Sequence, residues 1–207
     1  MAKSRQATNR EPLAAERIHE AALALAEDAG VESLSMRKLA ASLGVDAMSI
    51  YHHVANKQAL LMGMFETVLE ELRLPDDPQL SWQAALRELA TRFFRLAQRY
   101  PRVFPHLIAS PYATRRELEI HRYIRETLDQ AGLAEGDRAT ATAAIYTYAQ
   151  GIAGVAINGL AVRPVYDPDT GPAETAQHCS AAEKDFVFSV DLLIAGIEAR
   201  AERSALP

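Results

Sequence analysis

Cysteine is nearly absent: Cys179 is the single one among 207 residues. One thiol cannot build an internal disulfide framework, and such usage fits a reducing compartment. Apolar runs of membrane-spanning length are missing too. The first eleven residues, Met1 to Glu11, are polar and mixed in charge and lack the apolar middle of a signal peptide. These absences lead to the expectation of a cytoplasmic protein with no membrane association. Positive charge is not in excess either, since 22 Lys and Arg face 27 Asp and Glu for a net charge of −5. Residues 1–60 hold seven of each sign, so the whole negative balance falls on residues 61–207. Any nucleic-acid footprint must therefore come from a few placed side chains rather than from bulk charge.

Catalytic signatures are also lacking. There are six histidines, but no His-Glu-x-x-His zinc spacing, no Gly-x-Ser-x-Gly elbow, no Gly-rich phosphate loop and no Cys-x-x-Cys pair. Cys179 reads as an incidental thiol. No catalytic site, no metal site and no cofactor are expected.

What is present is helix almost throughout, so the fold class is all-α. A first helix from about Pro12 to Gly30 carries Ala14, Ile18, Ala21 and Leu25 at helical spacing. Ser35 is placed to cap a short second helix with Met36, Leu39, Ala40 and Leu43 inward. Gly44 supplies a tight turn, and Asp46 caps a third helix over Ala47 to Val54 with Ile50 and Val54 inward. A long fourth helix runs from about Asn56 to Leu74, with Leu61, Met64, Phe65, Val68, Leu69 and Leu72 on one side, until Pro75-Asp76-Asp77-Pro78 breaks it. Ser81 caps a fifth carrying Trp82, Leu86, Leu89, Phe93 and Tyr100. Pro101 and Pro105 bracket an irregular segment. Further helices are expected over about Thr114 to Ala131, Asp137 to Val162 and Ala181 to Arg203. A Pro-containing loop joins the last two, and the final helix groups Phe186, Val190, Leu193 and Ile197.

A helix, a Gly turn and a second short helix form a helix-turn-helix. In that motif one helix braces across the DNA backbone while the next enters the major groove, where base pairs are distinguishable. With Ile50 and Val54 buried, Ala47 and Tyr51 share one exposed ridge and Met48 and His52 the next. Ala47 and Met48 suit thymine methyls; Ser49, Tyr51 and His52 suit phosphates. Arg37, with Lys38 beside it, opens the bracing helix and suits a guanine or a phosphate, and Lys57 suits a phosphate. On spacing alone, three short helices could also be the corner of an ordinary bundle.

Residues 35–61 carry Leu39-Ala40, Leu43-Gly44-Val45, then Ser49-Ile50-Tyr51-His52-His53-Val54, then Asn56-Lys57 and Leu60-Leu61. This run resembles the DNA-binding signature of the tetracycline-repressor (TetR) family of transcriptional regulators. The resemblance implies DNA contact by Arg37, base-edge contact by Ala47 and Met48, and mainly backbone contact by Ser49, Tyr51, His53 and Lys57. Ala47-Met48 replaces a glutamine-proline pair of the namesake subgroup, so a different operator is expected. The domain reading is a helix-turn-helix DNA-binding domain over 1–60 and a helical ligand-binding and dimerisation domain over 61–207.

Residues 81–203 resemble the family in layout. That likeness implies a small-molecule pocket, release of double-stranded operator DNA by the effector, and a homodimer joined through the last two long helices of each subunit. The residues independently favour a partner, because the helix over 137–162 is apolar nearly all round and needs covering. Pocket candidates are aromatic or polar residues in otherwise apolar helices: Met64, Phe65, Trp82, Phe93, Phe104, His106, Tyr112, His121, Tyr146, Gln150 and Asn158. In tetracycline-binding members a histidine in a comparable loop helps hold a drug-bound metal. His106 lies in such a segment, but no companion ligand pattern accompanies it.

Overall fold

A computed structural model describes residues 13–157 and 182–205, and every regular element among them is helical. The chain divides into two compact units, Met1–Met64 and Phe65–Pro207.

The first unit holds α1 (Ala15–Ala29), a 3-10 turn (Val31–Ser33), α2 (Met36–Leu43), α3 (Ala47–Tyr51) and the first half of α4 (Lys57–Glu70). Pro12, the expected helix start, lies outside the described residues. The buried side of α1 is Ile18, Ala22, Leu23 and Ala26, so of the expected stripe only Ile18 is fully inside, and Ala14, Ala21 and Leu25 are half-buried. The run Ala21–Ala26 is Ala and Leu throughout, and a helix apolar on all sides does not declare its inner face by spacing. In α4, Leu60 rather than Leu61 is fully buried. Gly63 permits a close approach here, since a Cβ at this position would lie 2.1 Å from His19 Nε2 on α1.

The second unit is built around α5 (Trp82–Arg99), which packs against α7 (Arg115–Asp129), α8 (Glu135–Ile157) and α9 (Ala182–Ala205). Ser81 caps α5 by accepting from Ala84 N–H at 3.3 Å. The apolar face of α5 buries Leu86, Leu89, Phe93, Phe94 and Leu96. Phe94 stacks on Phe186 of α9 with ring centroids 4.6 Å apart. Phe186, Val190 and Ile194 are thus core residues of the second unit, whereas Leu193 and Ile197 of the expected stripe are only half-buried. The irregular segment expected from Pro101 holds over 101–103, but α6 (Phe104–Ile108) begins at its end, burying Phe104 and Leu107. Pro105 occupies its first turn, where a missing N–H costs nothing.

The fourth helix ends at Glu70, short of the expected Leu74. Side chains take the carbonyls that would have continued it: Arg116 donates to Leu72 C=O at 2.6 Å and Arg92 to Arg73 C=O at 2.7 Å.

Thr114 and Glu117 form a capping box at the start of α7, and the Tyr146 hydroxyl donates to Glu117 Oε1. Burial raises the Glu117 carboxyl above its ordinary range, against the lowering from the backbone bond at Thr114. A carboxyl raised in this way favours folding most below its unfolded pKa and loses that contribution as pH rises through its folded value. Glu117→Gln can keep the box, with its amide N–H turned to the Tyr146 oxygen. The variant is therefore expected to melt above wild type at neutral pH, with the gain vanishing by about pH 4; thermal denaturation at both pH values measures this.

Gly63→Ala should lower stability by roughly 1 kcal/mol or more through the His19 clash. In a His19→Ala background the same change should instead stabilise by up to about 1 kcal/mol, the helix propensity of alanine over glycine. A double-mutant cycle by urea denaturation reads the sign reversal.

Candidate nucleic-acid interface and sensor residues

Two caps and a turn hold the short helices of the first unit. Ser35 Oγ accepts from Lys38 N–H at 3.3 Å and starts α2. Gly44 ends it at φ +66°, ψ +35°, a left-handed conformation that favours glycine. Val45 N–H then reaches back to Ala40 C=O at 3.0 Å, closing a Schellman-type end. Asp46 Oδ1 accepts from Met48 N–H at 2.8 Å and starts α3.

The third helix spans Ala47–Tyr51 only, shorter than the expected run to Val54. His53 and Val54 still donate to Ile50 C=O, both at 2.9 Å, so the backbone stays coiled through His52 and His53. Ile50 and Val54 are buried, at 0% and 3% exposure. That fixes what points outward. Met48 is 64% and Tyr51 45% exposed; Arg37, Lys38, His52, His53 and Lys57 are exposed, and Ala47 and Ser49 half-buried. All nine candidate DNA residues thus reach the surface of the first unit, while Leu39, Ala40, Ile50 and Val54 between them are buried.

Lys57 opens α4, and Asn56 Oδ1 accepts from Ala59 N–H at 2.8 Å. A cation at a helix N-terminus stands at the unfavourable end of the helix dipole. A phosphate beside it would be drawn both by the lysine and by the free N–H groups of the first turn.

The sensor candidates do not converge as a set. Met64 and Phe65 are buried, as are Phe93 and Phe104, which meet edge to face at 5.1 Å. Trp82 lines a groove of about 260 Å³ with Pro75, Asp76, Asp77 and Tyr123. His106 is half-buried on α6 rather than in a loop, and Gln150 is half-buried on α8. Tyr112 is 56% exposed. Asn158 lies outside the described residues. His121 and Tyr146 do come together, with ring centroids 3.8 Å apart, and burial lowers the His121 pKa.

Two polar groups of this region were not among the candidates. Glu117 is bonded to Tyr146 and stands one turn before His121 on α7. The Tyr148 hydroxyl is buried with no hydrogen-bond partner among the described residues. Tyr148 gave the same signal as Tyr146, a polar aromatic in an Ala-rich helix; Glu117 gave none beyond its place in a charged helix. Among the described residues no group of three His, Cys, Asp or Glu is placed to hold a metal ion, and no helix is long and apolar enough to cross a membrane.

Known proteins agree with this architecture. Residues 18–63 match the model of bacterial regulatory proteins of the tetR family, and residues 74–180 match that of the tetracyclin repressor-like C-terminal domain. An HTH-type transcriptional regulator of Saccharopolyspora erythraea is 28% identical over 182 residues, covering 88% of this chain and 75% of that protein. Tetracycline repressor protein class D of Escherichia coli is 39% identical over 88 residues, covering 41% of this chain and 40% of the repressor. The crystal structure of a TetR variant from Acinetobacter baumannii in complex with minocycline is 25% identical with a TM-score of 0.72, covering 92% of this chain and 99% of that one. With both of its units matched, the chain belongs to the TetR family and is a helix-turn-helix DNA-binding transcriptional repressor.

Proposed function

We propose that the protein binds a near-palindromic operator as a homodimer in the cytoplasm and that a small molecule held in its C-terminal part releases it. In this reading residues 1–60 bind DNA and residues 61–207 sense and dimerise. The observation that carries the DNA half is the outward set of α3, with exposed Met48 and Tyr51 framed by exposed Arg37, His53 and Lys57. The minocycline complex and the tetracycline repressors supply the analogy for an effector. A release mechanism needs an element that belongs to both parts. The fourth helix begins in the first unit with Lys57 and ends in the second with Glu70, so it is the candidate lever. A ligand shifts operator affinity only by its preference between two conformations, about 1–3 kcal/mol in typical allostery.

For the dimer, the exposed apolar residues matter. Phe188 is 65% and Leu192 59% exposed on α9. Beside them a groove of about 330 Å³ is lined by Ala141, Ala144, Leu193, Gly196 and Ile197. Small residues let a second pair of helices approach closely. A surface of this kind suits a like surface on a second copy, the self-complementary arrangement of a two-fold dimer.

Gel shifts on the promoter nearest the gene, with and without candidate compounds, test repression and release together. Lys57→Ala should weaken binding to all sequences and reduce the salt dependence by about one unit of slope. Met48 substitutions should change base preference instead, by about 1–3 kcal/mol at the contacted pair. A Lys57→Ala variant with altered base preference and unchanged affinity would invert the assigned roles.

Leu192→Glu should convert the dimer to a monomer near 22.7 kDa and cost most operator affinity. Light scattering at micromolar concentration decides: a monomeric wild type ends the dimer reading.

A further inference from the structure

From Leu89 to Arg116 the chain has six arginines and no aspartate or glutamate. In a chain whose acids outnumber its bases, 28 consecutive residues without a carboxylate are out of character. Four arginines meet at one place: a groove of about 300 Å³ lined by Glu71, Leu72, Arg73, Arg92, Arg95, Leu96 and Arg99. Arg92, Arg95, Leu96 and Arg99 recur at three- and four-residue spacing along one face of α5, and Arg73 comes from the segment after α4.

Two of the four guanidinium charges at this groove, those of Arg92 and Arg99, are paired with carboxylates. Its one carboxylate, Glu71, is already engaged, accepting from the Tyr100 hydroxyl and pairing with Arg99 at 2.7 Å. Arg92 is held by Glu88 and by the Arg73 carbonyl. Those bonds orient two guanidinium groups at the groove without exhausting their donors, since each carries five. The Arg73 side chain has no hydrogen bond or ion pair among the described residues, and Arg95 is exposed. The carbonyls at the end of α4, which would repel an anion, are covered by Arg92 and Arg116.

We infer that this groove is an anion site for a phosphate-bearing small molecule, separate from the DNA-binding unit. Guanidinium forks match phosphate oxygens in bidentate fashion, and several forks around one concavity suit two linked phosphates better than one. Leu72 and Leu96 leave an apolar floor for the rest of the molecule.

The probe is inorganic pyrophosphate, titrated calorimetrically into the full-length protein at low salt, with orthophosphate and sulfate as comparisons. Saturable binding of one pyrophosphate per chain is expected, with orthophosphate and sulfate at least about tenfold weaker. Arg73→Ala and Arg95→Ala should each weaken pyrophosphate about fivefold or more. Both side chains are exposed, and circular dichroism verifies that the variants fold. Arg125→Ala removes the same charge from an exposed position outside the groove and should change little. Three results overturn the site: no saturable binding, an equal loss in Arg125→Ala, or sulfate binding as tightly as pyrophosphate. A fourth is displacement of pyrophosphate by random-sequence duplex in wild type but not in Arg73→Ala, which would make the groove a DNA contact instead.

Discussion

A five-residue helix cannot hold itself. With so few internal hydrogen bonds, the cost of fixing the first turn is never recovered by propagation, and α3 exists only because its surroundings impose it. Asp46 satisfies a free N–H at its start, Gly44 turns the chain into it, and Ile50 and Val54 root it in the first unit. The proposed DNA reading rests on that arrangement. The outward residues of α3 are free to vary because none of them holds the helix in place.

This division explains why the outward side of α3 was legible from the sequence. Ser35 and Asp46 cap by local chemistry, and Gly44 turns by its own backbone freedom; each acts within three residues of itself. Inward Ile50 and Val54 then leave Met48 and Tyr51 outside by helical geometry alone. The end of α4 was not legible, because the carbonyls just beyond it are taken by Arg92 and Arg116, side chains 19 and 44 residues further along the chain. The α6 helix was hidden by Pro101 and Pro105, which read as breakers until Pro105 is seen to occupy a first turn.

The Ala-rich helices mark a second limit. Where a stretch of helix offers alanine or leucine on every side, as Ala21–Ala26 of α1 does, periodicity cannot choose a face, and packing makes the choice. In α9 the expected grouping holds only in part: Phe186, against Phe94, and Val190 are buried with Ile194 in place of Leu193 and Ile197, while Phe188 and Leu192 stand outside. The sensor residues were harder still, since a pocket is assembled from separate helices. Phe93 and Phe104 are engaged with each other, whereas Glu117, which looked like part of a charged surface, is drawn inward by Tyr146.

Trp82 is the chain's single tryptophan, and it sits at the first position of α5 with its indole half-buried. The first unit has no indole at all. Light absorbed at the red edge, where tyrosine is transparent, is therefore emitted from one known place in the second unit. A shift in that emission when operator DNA is added would report a change at Trp82, which belongs to the second unit, in the unlabelled wild-type protein.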